Sequence, residues 1–194
     1  MRPIKVFDYY ALLIGSFLLL VTSPSLAEEP ARSGFFAGAN IGSGLGTLSP
    51  QGSTETPLNG ISKPGVDIGL EVGTSLDSRF FLSIEPNIWL GYGSDEAVTN
   101  AHQYYGLSIG TKYFVYEGIH LTGALGYSAG SFTALSPSIE GDSGKRESGF
   151  SYELGLSYEV LLDNNKALGF YTDMSRHNYS TWYFDIWSSG FSLR

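Results

Sequence analysis

Three kinds of side chain in this sequence are equipped for chemistry. The first is histidine, at His102, His120 and His177. The three lie far apart in the chain, and no Cys is present to complete a ligand set, so a shared metal site is not expected. The second is a nucleophile near a base, in His177-Asn178-Tyr179-Ser180. A serine nucleophile needs its base within ~2.6–3.2 Å. In an extended segment this spacing puts the two side chains on opposite faces, so a turn is needed to join them. The third is a set of acids, Asp67, Glu71, Glu85, Glu153, Glu159, Asp173 and Asp185, with one base, Lys112. No catalytic, cofactor-binding or metal-ligating residue is assigned from these, and no cofactor is expected. What the acids do depends on the elements that carry them.

Those elements have a period of two. Val66, Ile68, Leu70 and Val72 alternate with Asp67, Gly69, Glu71 and Gly73. Tyr105, Leu107, Ile109, Thr111 and Tyr113 alternate with Gly106, Ser108, Gly110 and Lys112. The same pattern recurs from Phe35, Phe80, Ile119, Phe150 and Leu168, and again in Trp182, Phe184 and Ile186. Alternation of this kind gives each strand one apolar face. Eight strands are predicted, most of them about 9 to 13 residues long, where soluble sandwiches use ~5–6 and membrane-spanning strands need ~9–11. Tyr92, Tyr105, Tyr113, Tyr127, Tyr152, Tyr158 and Trp182 collect near the ends of the apolar faces, as interfacial aromatic girdles do. The opposite faces are glycine, serine and single charges, too small and sparse for a surface in bulk water. Gly42-Ser43-Gly44-Leu45-Gly46 has the glycine density of a phosphate loop, but no helical pattern follows it, as a phosphate cradle requires. Inward glycines lining a narrow lumen fit it better.

Composition agrees. Charged residues are 15% of the chain against a usual ~25%, and the 25 Gly are nearly twice the usual ~7%. Without Cys the chain is no disulfide scaffold, and without a basic cluster it is no nucleic-acid binder. Arg2 and Lys5, the apolar run Tyr9 to Val21 and the small-x-small sequence Ser25-Leu26-Ala27 read as a cleaved secretory signal peptide over residues 1–27. Residues 28–194 then form one domain. Removing Arg2, Lys5 and Asp8 takes the net charge from −8 to −9.

The predicted connections are 47–65, 77–79, 93–103, 117–118, 131–149, 163–166 and 175–181, long and short in alternation. Long extracellular loops and short periplasmic turns make that pattern in outer-membrane barrels. An even strand number closes the sheet, and closure removes the unpaired edge groups that lipid cannot solvate. The fold class is therefore all-β: an eight-stranded antiparallel up-and-down transmembrane β-barrel after a cleaved signal peptide.

Gly34-Phe35-Phe36-Ala37-Gly38-Ala39-Asn40-Ile41-Gly42, the strand and loop rhythm, and the last segment together resemble the small eight-stranded outer-membrane barrels of the OmpA/OmpX type. The resemblance covers the whole mature chain. It implies the bacterial outer membrane, contact with its lipid and lipopolysaccharide, and passage through the outer-membrane assembly machinery. Those barrels end on an aromatic residue, whereas this chain ends at Arg194. Trp187, Phe191 and Leu193 keep the alternation but lie on the other parity from Trp182, Phe184 and Ile186, so a bulge near Ser188-Ser189-Gly190 is expected. Some similar barrels are lipid A deacylases with a His-x-Ser pair, from which His177-x-x-Ser180 departs. A lipid A palmitoyltransferase also uses a small barrel, but no amphipathic helix follows the leader.

In this register all seven acids and Lys112 point into the lumen, because a charge on the lipid face costs ~2–4 kcal/mol for Arg or Lys at mid-membrane. Three functions follow. The first is a structural or surface-interaction barrel, its lumen filled by polar side chains, acting through loops 47–65 and 131–149. The second is a narrow porin-like channel. The third is a lipid A-modifying, deacylase-like enzyme. A plugged lumen favours the first, a continuous lumen the second, and an aligned His/Ser/acid group on the lipid side the third.

Overall fold

A computed structural model describes residues 34–51, 62–95, 98–135, 145–163 and 166–194. The expected leader, residues 1–27, lies outside the described residues. Eight strands follow one another as β1 (Phe35–Pro50), β2 (Ser62–Ser75), β3 (Phe80–Asp95), β4 (Val98–Tyr116), β5 (Ile119–Leu135), β6 (Lys145–Asp163), β7 (Lys166–Asn178) and β8 (Trp182–Leu193). Each pairs antiparallel with its sequence neighbour, and β1 also pairs with β8 (Ile41 opposite Phe191), so the barrel is closed. Closure is what lipid demands, since every backbone N–H and C=O in the belt must find an internal partner.

The outer face is apolar, as the alternation predicted. Ile41, Leu70, Ile84, Ile109, Leu125 and Leu154 point outward, with Ile109 62% and Leu154 60% exposed. A soluble monomer rarely shows apolar patches above a few hundred Å², so a belt of this extent around the whole barrel is a lipid-facing surface. Its upper rim carries Tyr105 and Tyr127, whose hydroxyls bond to Gln103 (3.0 Å) and Ser148 (2.9 Å) on the polar side. Tyr113 and Tyr116 lie exposed near the opposite end. The girdle position of Tyr92 concerns a side chain outside the described residues.

Three expectations need correction. The strands run 12 to 19 residues, longer than a membrane requires, and the excess lies on the loop side. The expected 93–103 connection is mostly strand: β3 and β4 pair as far as Asp95 opposite Val98. Loops 47–65, 131–149 and 175–181 likewise shrink, because β1, β5 and β7 run on to Pro50, Leu135 and Asn178. The third concerns β8. Its pairing with β1 and β7 is continuous, with no bulge at Ser188-Ser189-Gly190. Trp187, Phe191 and Leu193 face lipid as expected, but Trp182, Phe184 and Ile186 face inward and are buried.

The cause is a change of solvent along one strand. Within the belt the outside is lipid and the inside is polar. Above it the outside is water, so the inside becomes the apolar side. β8 begins above the belt, and its alternation keeps one register while the meaning of its apolar face inverts.

The short turns follow local chemistry. Asp77 Oδ1 accepts from the N–H groups of Arg79 and Phe80, both at 2.7 Å. These bonds hold its carboxyl below the usual carboxylate range. In the Glu117-Gly118 turn, Gly118 has φ of 71°, a left-handed conformation that favours glycine.

Candidate functional site

The lumen gathers most of the chemistry, in three layers. At the turn end Phe36, Phe81 and Phe114 stack edge-on, with ring centroids at 5.7 and 5.3 Å. Arg194 crosses this group. Its guanidinium lies 5.2 Å from the Phe36 ring and 5.3 Å from Phe81, and it bonds Glu159 at 2.9 Å. His120, 1% exposed, packs on Phe114 at 4.6 Å. These side chains pack together across that end of the lumen.

The middle layer holds the acids. Lys112 Nζ donates to Glu71 Oε1 at 2.7 Å and stands 2.5 Å from Oε2, both side chains nearly buried. Ser83 donates to Glu85 at 2.5 Å. Ser188 donates to Asp173 at 2.7 Å and to Asp67 at 3.4 Å, and so ties β2 to β7. The Tyr171 hydroxyl also donates to Asp67, at 3.4 Å. It lies over Gly42, where a Cβ would collide with it. The glycines of β1 thus leave room for lumen side chains and hold no phosphate cradle.

The third layer lies at the loop end and is apolar. Leu48, Trp89, Tyr104, Tyr179, Trp182, Phe184 and Ile186 form one buried cluster. Trp89, with no exposed surface, fits against Gly65, whose missing Cβ is the space its ring fills. His102 and His177 join the cluster at 5.6 and 6.2 Å from the Phe184 ring, and Tyr104 packs against His177 at 4.1 Å with the rings tilted by 42°. Two of the three histidines are therefore neighbours, contrary to the sequence reading, but they share an aromatic ring. No group of three His, Cys, Asp or Glu among the described residues is placed to hold a metal ion.

Of the acids and base chosen from sequence, Asp67, Glu71, Glu85, Lys112, Glu153, Glu159 and Asp173 do face inward. Asp185 does not. It pairs with Arg176 on the outer face, accepting from Nε at 2.6 Å and from Nη2 at 2.8 Å, while Tyr183 stacks on the guanidinium at 5.4 Å. Arg146 is also exposed on a strand. Charges face outward where the strands have left the lipid, so the segregation of charge holds only inside the belt. Lys63, assigned to a loop, lies in β2 and is buried. Arg194 was missed as a lumen residue for want of any local pattern.

His177 and Ser180 do not meet. Ser128 and Ser175 contact His177 Nδ1 and Nε2 at 2.9 and 3.2 Å, while Ser180 donates to Glu147 at 3.0 Å. The Ser128–His177 contact has the length of a nucleophile–base pair, yet both side chains are at least 98% buried inside the plug, out of reach of lipid.

No protein-family model matches the sequence, and no curated protein sequence does. Solved structures do match. Ail, the attachment invasion locus protein of Yersinia pestis, superposes with a TM-score of 0.60 at 14% identity, over 83% of this chain and 98% of that one. Ail solved with the heparin analogue sucrose octasulfate gives 0.59 at 13% identity and the same coverage. Neisserial surface protein A gives 0.53 at 12% identity, over 80% and 95%. With its lipid-facing belt, closed eight-strand order and filled lumen, this chain has the fold of the small outer-membrane β-barrels.

Proposed function

We propose that the protein is an integral barrel of a bacterial outer membrane that acts at the cell surface, as a structural or surface-interaction protein, and that it neither conducts nor catalyses. The observation that carries this reading is the lumen. Phe36, Phe81, Phe114 and Arg194 pack across one end of it and the Trp89 and Phe184 cluster across the other, which supports a plugged rather than a continuous lumen. A channel needs a continuous path, and an enzyme acting on lipid needs its nucleophile on the lipid side.

The material invested above the belt supports the same reading. β3 to β5 rise beyond the point where β2 stops pairing with β3, at Gly65 opposite Gly91. Among the described residues the backbone from Tyr92 to Asp95 pairs with β4, so this hairpin stands above the belt. The mature chain carries −9, and Arg176 is already neutralised by Asp185, so a polyanion like the one bound to Ail is a poor candidate partner here. The loops between β1 and β2 and between β5 and β6 complete the exposed surface.

Two measurements test the proposal together. Epitope tags placed within 52–61 and within 136–144 are expected to bind antibody on intact cells. The purified barrel is expected to give no steps of conductance in planar bilayers, as wild type or as Lys112→Ala. Tags reached only after lysis, or steady conductance from wild type, would overturn it.

A further inference from the structure

The outer wall from β3 to β6 is not evenly covered. Its outward residues pair across the strands in rows. Ile84, Ile109 and Leu125 make one row, and Leu107, Tyr127 and Phe150 the next one toward the loops. Between these six side chains the wall opens into a groove of about 530 Å³. Ser108 and Gly126, opposite one another and turned inward, lie at its floor. Gly126 has a packing reason to be glycine, since a Cβ there would collide with Ser108 Oγ. Gly123 has none: it shares the outer face with Leu125, and a Cβ there would have its nearest neighbour 3.7 Å away. Gly123 is opposite Thr111, so the wall is also low just beneath the groove.

A separate observation comes from the rows above. The first reads Tyr105, Ala129 and Ser148, and the second Gln103, Ser131 and Arg146. Ala129 is a notch between larger neighbours and continues the line of the groove upward. Polar groups surround it: Tyr105 donates to Gln103 at 3.0 Å, and the Tyr127 and Ser148 hydroxyls bond at 2.9 Å. Arg146 is exposed above them, four residues from Phe150 on β6, or about 13 Å along a strand. Glu147 beside it faces the other way and accepts from Ser180 and from the Thr181 N–H, both at 3.0 Å. Arg176, on the outer face of β7, is held by Asp185. An apolar groove, a polar shelf and an outward base thus lie in one line on the same face.

We infer that this face binds one phosphorylated glycolipid of the outer leaflet. An acyl chain lies in the groove, sugar hydroxyls meet Gln103, Tyr105 and Ser148, and a phosphate meets Arg146. The inference rests on the reading of the loop end as the cell-surface side, since only then does the groove face the outer leaflet. The groove is continuous with the lipid-facing belt, so its occupant is a lipid that already solvates the wall. Charge selects among lipids, because a guanidinium and a phosphate form short charge-assisted bonds. The hydroxyls and amide of the shelf favour a sugar headgroup, which needs both donors and acceptors. The net charge of the chain does not oppose the contact: the lumen acids lie on the far side of the wall, and charges in water beyond ~8 Å are largely screened.

Diphosphoryl lipid A is the probe, and phosphatidylglycerol, an anionic lipid without the sugars, its competitor. The full-length mature barrel is refolded in detergent with both at equal concentration, and bound lipid is weighed by native mass spectrometry. One lipid A per barrel is expected, in excess over phosphatidylglycerol. Arg146→Gln is expected to lower lipid A retention several-fold. Leu107→Trp, which fills the groove with another apolar side chain, is expected to abolish it. Arg79→Gln, the same charge change at the turn end, and Leu154→Trp, on the belt outside the groove, should leave it unchanged. Heat-modifiable gel migration reports folding of each variant. Arg146 is exposed, so Arg146→Gln decides the matter if Leu107→Trp does not fold. Equal retention of the two lipids, retention unchanged in Arg146→Gln, or a loss as large in Arg79→Gln would overturn the site. With the 52–61 and 136–144 tags displayed on cells, such a result strikes the lipid site alone; tags reached only after lysis would strike both readings.

Discussion

Lys112 is the residue on which the charge balance of the lumen turns. It and Glu71 are both nearly buried, and their contacts are of charge-assisted length. Removing one partner of such a pair leaves the other unpaired in a low dielectric, which typically costs ~3–5 kcal/mol. Lys112→Met is therefore expected to lower unfolding stability by about 3 kcal/mol, read from urea titration of the refolded barrel. Lys112→Met/Glu71→Gln should recover most of that loss, because the orphaned charge goes with its partner. Asp185→Asn makes the opposite case. Its pair with Arg176 lies in a partly exposed position, and such pairs contribute about 0–1 kcal/mol. A change below about 1 kcal/mol is expected there, and a loss as large as that of Lys112→Met would place Asp185 back inside.

The strands explain why one acid behaves differently from the rest. Asp67, Glu71, Glu85, Glu153 and Asp173 were legible in sequence because lipid forbids a charge on the other face, so parity settled their direction. Asp185 obeys the same alternation, but it follows Trp182 and Phe184, whose apolar face is the inside of a plug. Sequence alternation reports an apolar face and is silent on whether lipid or lumen lies against it. Strand ends were hidden for a related reason, since above the belt polar residues suit a strand as well as a loop. The tight turns were legible because their chemistry is local. Gly118→Ala puts a Cβ on a left-handed residue and against the Tyr158 ring and the Glu159 carbonyl, so a loss of about 1–2 kcal/mol is expected by urea titration. Asp77 gives the turn before β3 a pH dependence. Its carboxyl sits lower in the folded chain than in the unfolded one, so its contribution is present above the unfolded value and fades as pH falls through the folded one. The fall in urea midpoint on acidification should therefore be shallower in Asp77→Asn than in wild type; equal slopes would show that the turn carboxylate contributes nothing.

At the scale of the whole molecule the barrel has two independent closures around one acidic layer. The lower closure rests on Phe36, Phe81 and Arg194, the upper on Trp89, Phe184 and Tyr104. The layer between them touches the lower one only through Lys112, whose ammonium lies 5.8 Å from the Phe36 ring. An eight-stranded barrel is only just wide enough for its side chains to fill, so either closure alone stops ions. Opening one mouth by Trp89→Ala/Phe184→Ala, or the other by Phe36→Ala/Phe81→Ala, should thus leave the barrel silent in planar bilayers. Combining the four substitutions joins both mouths through the layer of Asp67, Glu85, Glu153 and Asp173. The resulting path should pass cations in preference to anions, since fixed negative charge in a narrow low-dielectric passage repels anions. In asymmetric KCl the reversal potential should then lie on the K⁺ side. Conductance from either half-opened variant would show that the mouths do not close independently. An anion-selective current from the fourfold variant would show that the acidic layer does not govern the passage.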